Sequence, residues 1–173
     1  MAKPVISLVD PQTAPEETKK AVQAHLAKGY RMTNEKRTLL HNVTAFNALE
    51  GMSYAMSAEM QRFTTRRAAN LFQYAISLEN DCLVCCTYYK RAMASMGIED
   101  IEKARLTEEE QLLIRYAQAI VRNRKAVPDE LLQQLLARYG EEGLVVITTM
   151  GMFMIGNNYF NDILHVQSEF LPV

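Results

Sequence analysis

The chain lacks any excess of charge: its 173 residues carry 19 Lys and Arg against 20 Asp and Glu. No net field therefore favours nucleic acid or an anionic membrane. The small basic clusters, Arg62, Arg66 and Arg67 and then Arg122, Arg124 and Lys125, carry no nucleic-acid motif and read as solvated helix faces. A bilayer-spanning run is missing too. Leu144 to Ile155 is nearly continuously apolar, but it is shorter than the roughly 20 residues a span needs and contains Thr148, Thr149 and Gly151. The first ten residues hold too short an apolar stretch for a secretory signal, so the cytoplasm is the expected compartment. There is no phosphate-cradling glycine loop, and no cofactor is implied. Three cysteines are too few for a secreted disulfide framework. Without a second cysteine pair, a four-ligand zinc site would have to recruit the distant His25, His41 or His165.

What is present is a chain with 49% hydrophobic residues, enough for one domain over residues 1–173 with a real core. Residues 1–13 read as an extended arm, interrupted by Pro4 and Pro11. Helical pattern begins at Pro15-Glu16-Glu17 and runs to Lys28, with Gly29 as its stop. Ala45, Ala48, Leu49, Met52 and Met56 recur at helical spacing, as do Ala68, Leu71, Phe72 and Ala75 after a cap at Thr64 or Thr65. Glu79-Asn80-Asp81 interrupts the pattern, and a new helix begins beside Cys82 and ends at Gly97. Thr107-Glu108-Glu109-Glu110 reads as a capping box, opening a helix with Leu113, Tyr116, Ala117 and Ile120 on its buried stripe. Val127-Pro128-Asp129-Glu130 starts another, ending near Gly140. Val145 to Thr149 has β-branched character, but no second strand exists to pair with it, so Leu144–Ile155 is assigned to a buried helix. The expected fold is all-α, a compact multi-helix bundle.

Within that frame the informative motif is Cys82-Leu83-Val84-Cys85. Residues i and i+3 of a helix share a face, and their separation of about 5 Å suits a reversible disulfide. The helix amino terminus also favours thiolate, drawing a cysteine from about 8.5 toward 7. The alternative is that Cys82, Cys85 and Cys86 are small buried hydrophobes. Cys86 lies i+4 from Cys82 and competes as a partner or serves the core. Tyr89, four residues after Cys85 and on its face, either hydrogen-bonds the sulfur or packs in a groove. Asn70 can orient a neighbour but not exchange a proton. Glu79 is the carboxylate nearest Cys82 in sequence, either an acid for the site or a solvated residue at a helix end. His41 and His165 are further candidates to approach the dithiol.

Ser77-Leu78-Glu79-Asn80-Asp81-Cys82-Leu83-Val84-Cys85, followed by Ala92 and Gly97, resembles the signature region of the carboxymuconolactone decarboxylase and AhpD-like superfamily. The resemblance extends to His41-Asn42-Val43, Thr64-Thr65-Arg66-Arg67 and Val127-Pro128-Asp129-Glu130-Leu131, covering roughly residues 35–165. It implies an all-α AhpD-like protein that assembles as a homotrimer or homohexamer. It also implies an alkylhydroperoxidase-like antioxidant or thiol-disulfide oxidoreductase, acting on a hydroperoxide or disulfide and regenerated by a dithiol electron donor. By that pattern Cys85 attacks and Cys82 resolves. The family's relay Glu, twelve positions before the first cysteine, and its relay His, four after the second, correspond to Asn70 and Tyr89, so the dithiol is kept while the proton relay is altered. A lactone decarboxylase-like enzyme and an oligomeric binding or scaffold protein are the rival expectations.

Overall fold

The computed structural model describes residues 3–101 and 103–170. Those residues form seven helices and no strand: α1 (Glu16–Ala27), α2 (Asn34–Leu39), α3 (Val43–Phe63), α4 (Arg66–Glu79), α5 (Leu83–Ala94), α6 (Glu108–Asn123) and α7 (Asp129–Ile163). The all-α expectation is met. Each start has a local cause. Thr65 accepts from the Ala68 amide at 3.1 Å to open α4, and Thr107 and Glu110 exchange both bonds of a capping box to open α6. α1 ends where Gly29 turns to φ +82°, a conformation without steric cost only for glycine.

α4 is the central element, with Leu71, Phe72 and Ile76 fully buried. It packs against α5, α6 and α7. The main core joins Phe72 and Ile76 to Leu113 and Tyr116 of α6 and to Leu135, Ile147 and Met150 of α7. The Tyr116 hydroxyl lies 2.7 Å from that of Thr148, which also donates to the Leu144 carbonyl, so a polar side chain in the apolar run is fully partnered. Leu144–Ile155 is helical, within α7.

Two readings from sequence need correction. α3 buries Phe46, Glu50 and Met60, while Ala48 is exposed, so the stripe read through Ala45, Ala48, Leu49, Met52 and Met56 is not its most buried face. The misreading arises because a carboxylate, Glu50, occupies the inner face, held there by Lys36 Nζ at 2.9 Å and His25 Nδ1 at 3.3 Å. α2 is a short helix that apolar periodicity did not reveal. Thr33 caps it by accepting from the Lys36 amide.

The junction of α4 and α5 fixes the cysteines. Asp81 adopts φ +57°, its amide bonds the Leu78 carbonyl at 3.1 Å, and the Cys82 amide reaches back to Ser77 at 3.0 Å. This double bond is a Schellman motif with an aspartate in the left-handed position. It ends one helix and begins the next within three residues, leaving Cys82 as the N-cap of α5. His165 at φ +51° makes the same motif at the end of α7, where Val166 bonds the Asn161 carbonyl at 2.9 Å.

Candidate active site

Cys82, Cys85 and Cys86 are free thiols. Cys82 is fully buried and Cys85 nearly so, but Cys85 lines a cavity of about 380 Å³ whose wall does not include Cys82. Cys82 is the N-cap of α5 and Cys85 lies in its first turn, so the two thiols are neighbours. The cavity therefore exposes Cys85 and not Cys82. Four helices besides α5 supply the wall: Glu35 and Lys36 from α2, Glu50 and Met60 from α3, Asn70 and Gln73 from α4, and Met154 and Asn157 from α7.

The expectation of a thiolate poised near neutral pH is not met. The Cys85 thiol is raised well above its ordinary value, first by the neighbouring Cys82 thiol, then by burial and by the nearby Glu35 carboxylate. Burial and a neighbouring anion outweigh the partial charge of a helix terminus, which is worth only about 0.3–1 kcal/mol at exposed sites. Cys86 is half-buried and pushed up to about 12, mainly by burial, with the Cys82, Asp81 and Asp162 charges adding to it.

Asn70 lines the cavity, and its side-chain amide is tied back to the Arg66 carbonyl at 2.8 Å. Tyr89 also lines it, yet its hydroxyl donates to Gln73 Oε1 at 2.8 Å and sits 3.4 Å from Met154 Sδ, not on the Cys85 sulfur. Burial holds this phenol well above its ordinary value, so it keeps its proton at neutral pH. Glu79 is not part of the wall: it makes a two-point ion pair with Arg122, at 2.6 and 3.0 Å. His41 and His165 bind the N-terminal arm, through the Ser7 carbonyl at 2.8 Å and the Lys3 carbonyl at 3.2 Å. His25 is buried beside Tyr54 and Glu50 and lies 3.0 Å from the Arg31 carbonyl.

The groups that do reach the cysteines were missed from sequence. Asn161 Nδ2 lies 3.4 Å from Cys85 Sγ and 3.4 Å from Glu35 Oε2, and Asn157 Nδ2 lies 3.7 Å from the same sulfur. The Asp162 carboxyl is raised above its usual range, mainly by burial, with the nearby Cys82 thiol opposing that rise. The register of α7 is held by Asn158, which accepts from Asn80 at 3.0 Å and donates to Ser77 at 3.3 Å. One signal existed: Asn157, Asn158 and Asn161 crowd about one turn directly after the nearly continuous apolar run Leu144–Ile155. Asparagine is a weak helix former and rarely buried without a purpose.

Solved structures share this fold. An uncharacterised peroxidase-related protein from a Silicibacter species superposes with a TM-score of 0.81 at 16% identity, over 98% of this chain and 96% of its own. A protein of unknown function from Agrobacterium tumefaciens, described as a candidate antioxidant defence protein AhpD, superposes with a TM-score of 0.64 at 19% identity, over 77% of this chain and 94% of its own. No protein-family model and no curated protein matches the sequence. The fold is thus the all-α AhpD-like one.

Proposed function

We propose that this chain reduces hydroperoxides through Cys85, with Cys82 as the resolving thiol and an external dithiol as reductant. The observation that carries the reading is the placement of the pair: one sulfur faces a cavity, and the other, three residues earlier at the N-cap of the same helix, is fully buried. The likeness to a peroxidase-related protein and to an AhpD candidate adds fold-level analogy.

The chemistry balances as follows. The Cys85 thiol gives up its proton, and its sulfur attacks the terminal oxygen of a hydroperoxide. A sulfur–oxygen bond forms as the oxygen–oxygen bond breaks, two electrons pass from sulfur to peroxide, and the alkoxide leaves as an alcohol on taking a proton. Cys82 then attacks the sulfenic acid, forming the disulfide and releasing water. Two exchanges with the dithiol donor return two electrons and two protons.

Mild treatment of the pre-reduced protein with tert-butyl hydroperoxide is expected to close Cys82–Cys85 within one chain, read by peptide mapping with mass analysis. Linkages through Cys86 alone, or three unreacted thiols, would defeat the assignment and leave the scaffold reading in its place.

A further inference from the structure

We infer that Glu35 of α2 is the acid–base residue of this dithiol: it takes the Cys85 proton and returns it to the alkoxide that leaves. The inference rests on the peroxide-reducing reading above and supplies the proton chemistry that Asn70 and Tyr89 cannot.

Three observations meet at one point. Asn161 Nδ2 has two hydrogens and two acceptors, Glu35 Oε2 and Cys85 Sγ, each 3.4 Å away. Carboxylate and sulfur are therefore separated by at most twice that distance, a gap of the size one water spans, and both line the same cavity. Second, Asn157 Oδ1 is buried with no hydrogen-bond partner, although its Nδ2 faces the Cys85 sulfur. A buried acceptor beside the reacting sulfur is suited to the O–H of a hydroperoxide, which would bring the terminal oxygen onto the sulfur. Third, Glu35 is half-buried and its carboxylate accepts from the Asn161 amide, so its position is restrained before substrate arrives.

The titratable neighbours are Lys36 on the same helix, Glu50 of α3, and Cys85, Tyr88 and Tyr89 of α5, whereas α7 offers Glu35 only the uncharged Asn157 and Asn161. Burial lifts the Glu35 carboxyl above its usual range and Lys36 opposes that lift. A carboxyl raised in this way is a better match to neutral pH than a solvated one.

The same negative charge also holds the Cys85 proton on, and this conflict gives the test its discrimination. Iodoacetamide reacts with thiolate and needs no proton delivered to its leaving iodide, whereas a hydroperoxide needs one for its alkoxide. In Glu35→Gln, which keeps an acceptor for Asn161, alkylation of Cys85 is expected to be as fast as in the native protein or faster. Single-turnover disulfide formation with tert-butyl hydroperoxide is expected to slow by about 10²-fold or more. The native peroxide rate should change through an ionisation at a pH above the usual carboxylate range, and Glu35→Gln should lack that step. Glu35→Asp, which keeps the carboxyl, should restore part of the rate.

An unchanged peroxide rate in Glu35→Gln, with Cys85→Ser inactive, would overturn the role of Glu35 and leave the dithiol reading standing. Equal slowing of alkylation and peroxide reaction would deny Glu35 the return of the proton to the alkoxide and so overturn the acid–base role. Native activity in Cys85→Ser would remove the dithiol reading itself. Should Glu35→Gln not fold, absence of the ionisation step from the native pH profile would overturn the role on its own.

Discussion

Tyr89 shows how a residue can line a site without handling its protons. Its hydroxyl is committed to Gln73, and its phenol is raised by burial. Tyr89→Phe removes that bond and leaves a buried amide oxygen unpaired, a loss of about 1–3 kcal/mol expected as a lower denaturation midpoint. Peroxide turnover per folded molecule should stay near native, because the lost proton was never available at neutral pH. A collapse in turnover with unchanged stability would show instead that the phenol touches the reaction. The same distinction explains what was legible at this scale. Cys82 and Cys85 announce themselves because their chemistry depends on spacing within one helix. Glu35 does not: 50 residues separate it from Cys85 in the chain, and the Asn161 side chain, 126 residues from Glu35, bridges the two. Glu79 drew attention by proximity in sequence, but it points outward to Arg122. Long-range placement of a carboxylate leaves no local signature.

At the scale of the element, caps and stops were readable because their causes are local. The Thr107 capping box, the Thr65 cap and the Gly29 stop each depend on three or four consecutive residues. α2, six residues long, is too short to show a periodicity and is organised around polar contacts, so it was not seen. Gly140 is the most exacting of the local features. The helix ending predicted there is a break inside α7, where Gly140 takes φ +67° and ψ −179°. That region is essentially open to glycine alone, and nothing lies within 4 Å of where a Cβ would stand. Gly140→Ala therefore isolates the backbone cost from any clash, and it should destabilise the protein by about 1–3 kcal/mol in chemical denaturation. If stability rises instead, the helix runs straight through this position and the break is not required by the fold. The cysteines would be little affected, since Asn157 and Asn161 sit on the far segment and are pinned by Asn158 and by the turn at His165.

For the whole molecule, α7 carries a feature that one chain does not use. Its inner face holds Ile147, Met150 and Met154, while Val145, Met152, Tyr159 and Ile163 stand 64%, 63%, 54% and 69% exposed. The first three recur every seven residues, so they form one stripe along the helix. α7 is long and apolar enough to cross a membrane by length and composition, yet 44% of that window is buried within the protein, which leaves the stripe as the unpaired part. Single exposed apolar residues are ordinary, but an aligned set of large ones is the usual mark of an interface. We expect the stripe to meet a second copy of the chain, giving the homotrimer or homohexamer that the family resemblance implies. Met152→Glu sets a charge in the middle of that contact. Because Met152 is exposed in the single chain, the substitution should cost the isolated fold no more than a few tenths of a kcal/mol, yet association should be lost. Light scattering at micromolar concentration is expected to show a multiple of the 19.7 kDa chain for the native protein and the single-chain mass for Met152→Glu. A native protein that stays monomeric would leave the stripe unexplained, and an unchanged multiple in Met152→Glu would move the interface elsewhere. Glu35, Cys85, Asn157 and the other wall residues named above belong to the same chain, so a monomeric Met152→Glu protein should still close Cys82–Cys85 with peroxide. Loss of that reaction together with the assembly would mean that a neighbouring copy completes the site.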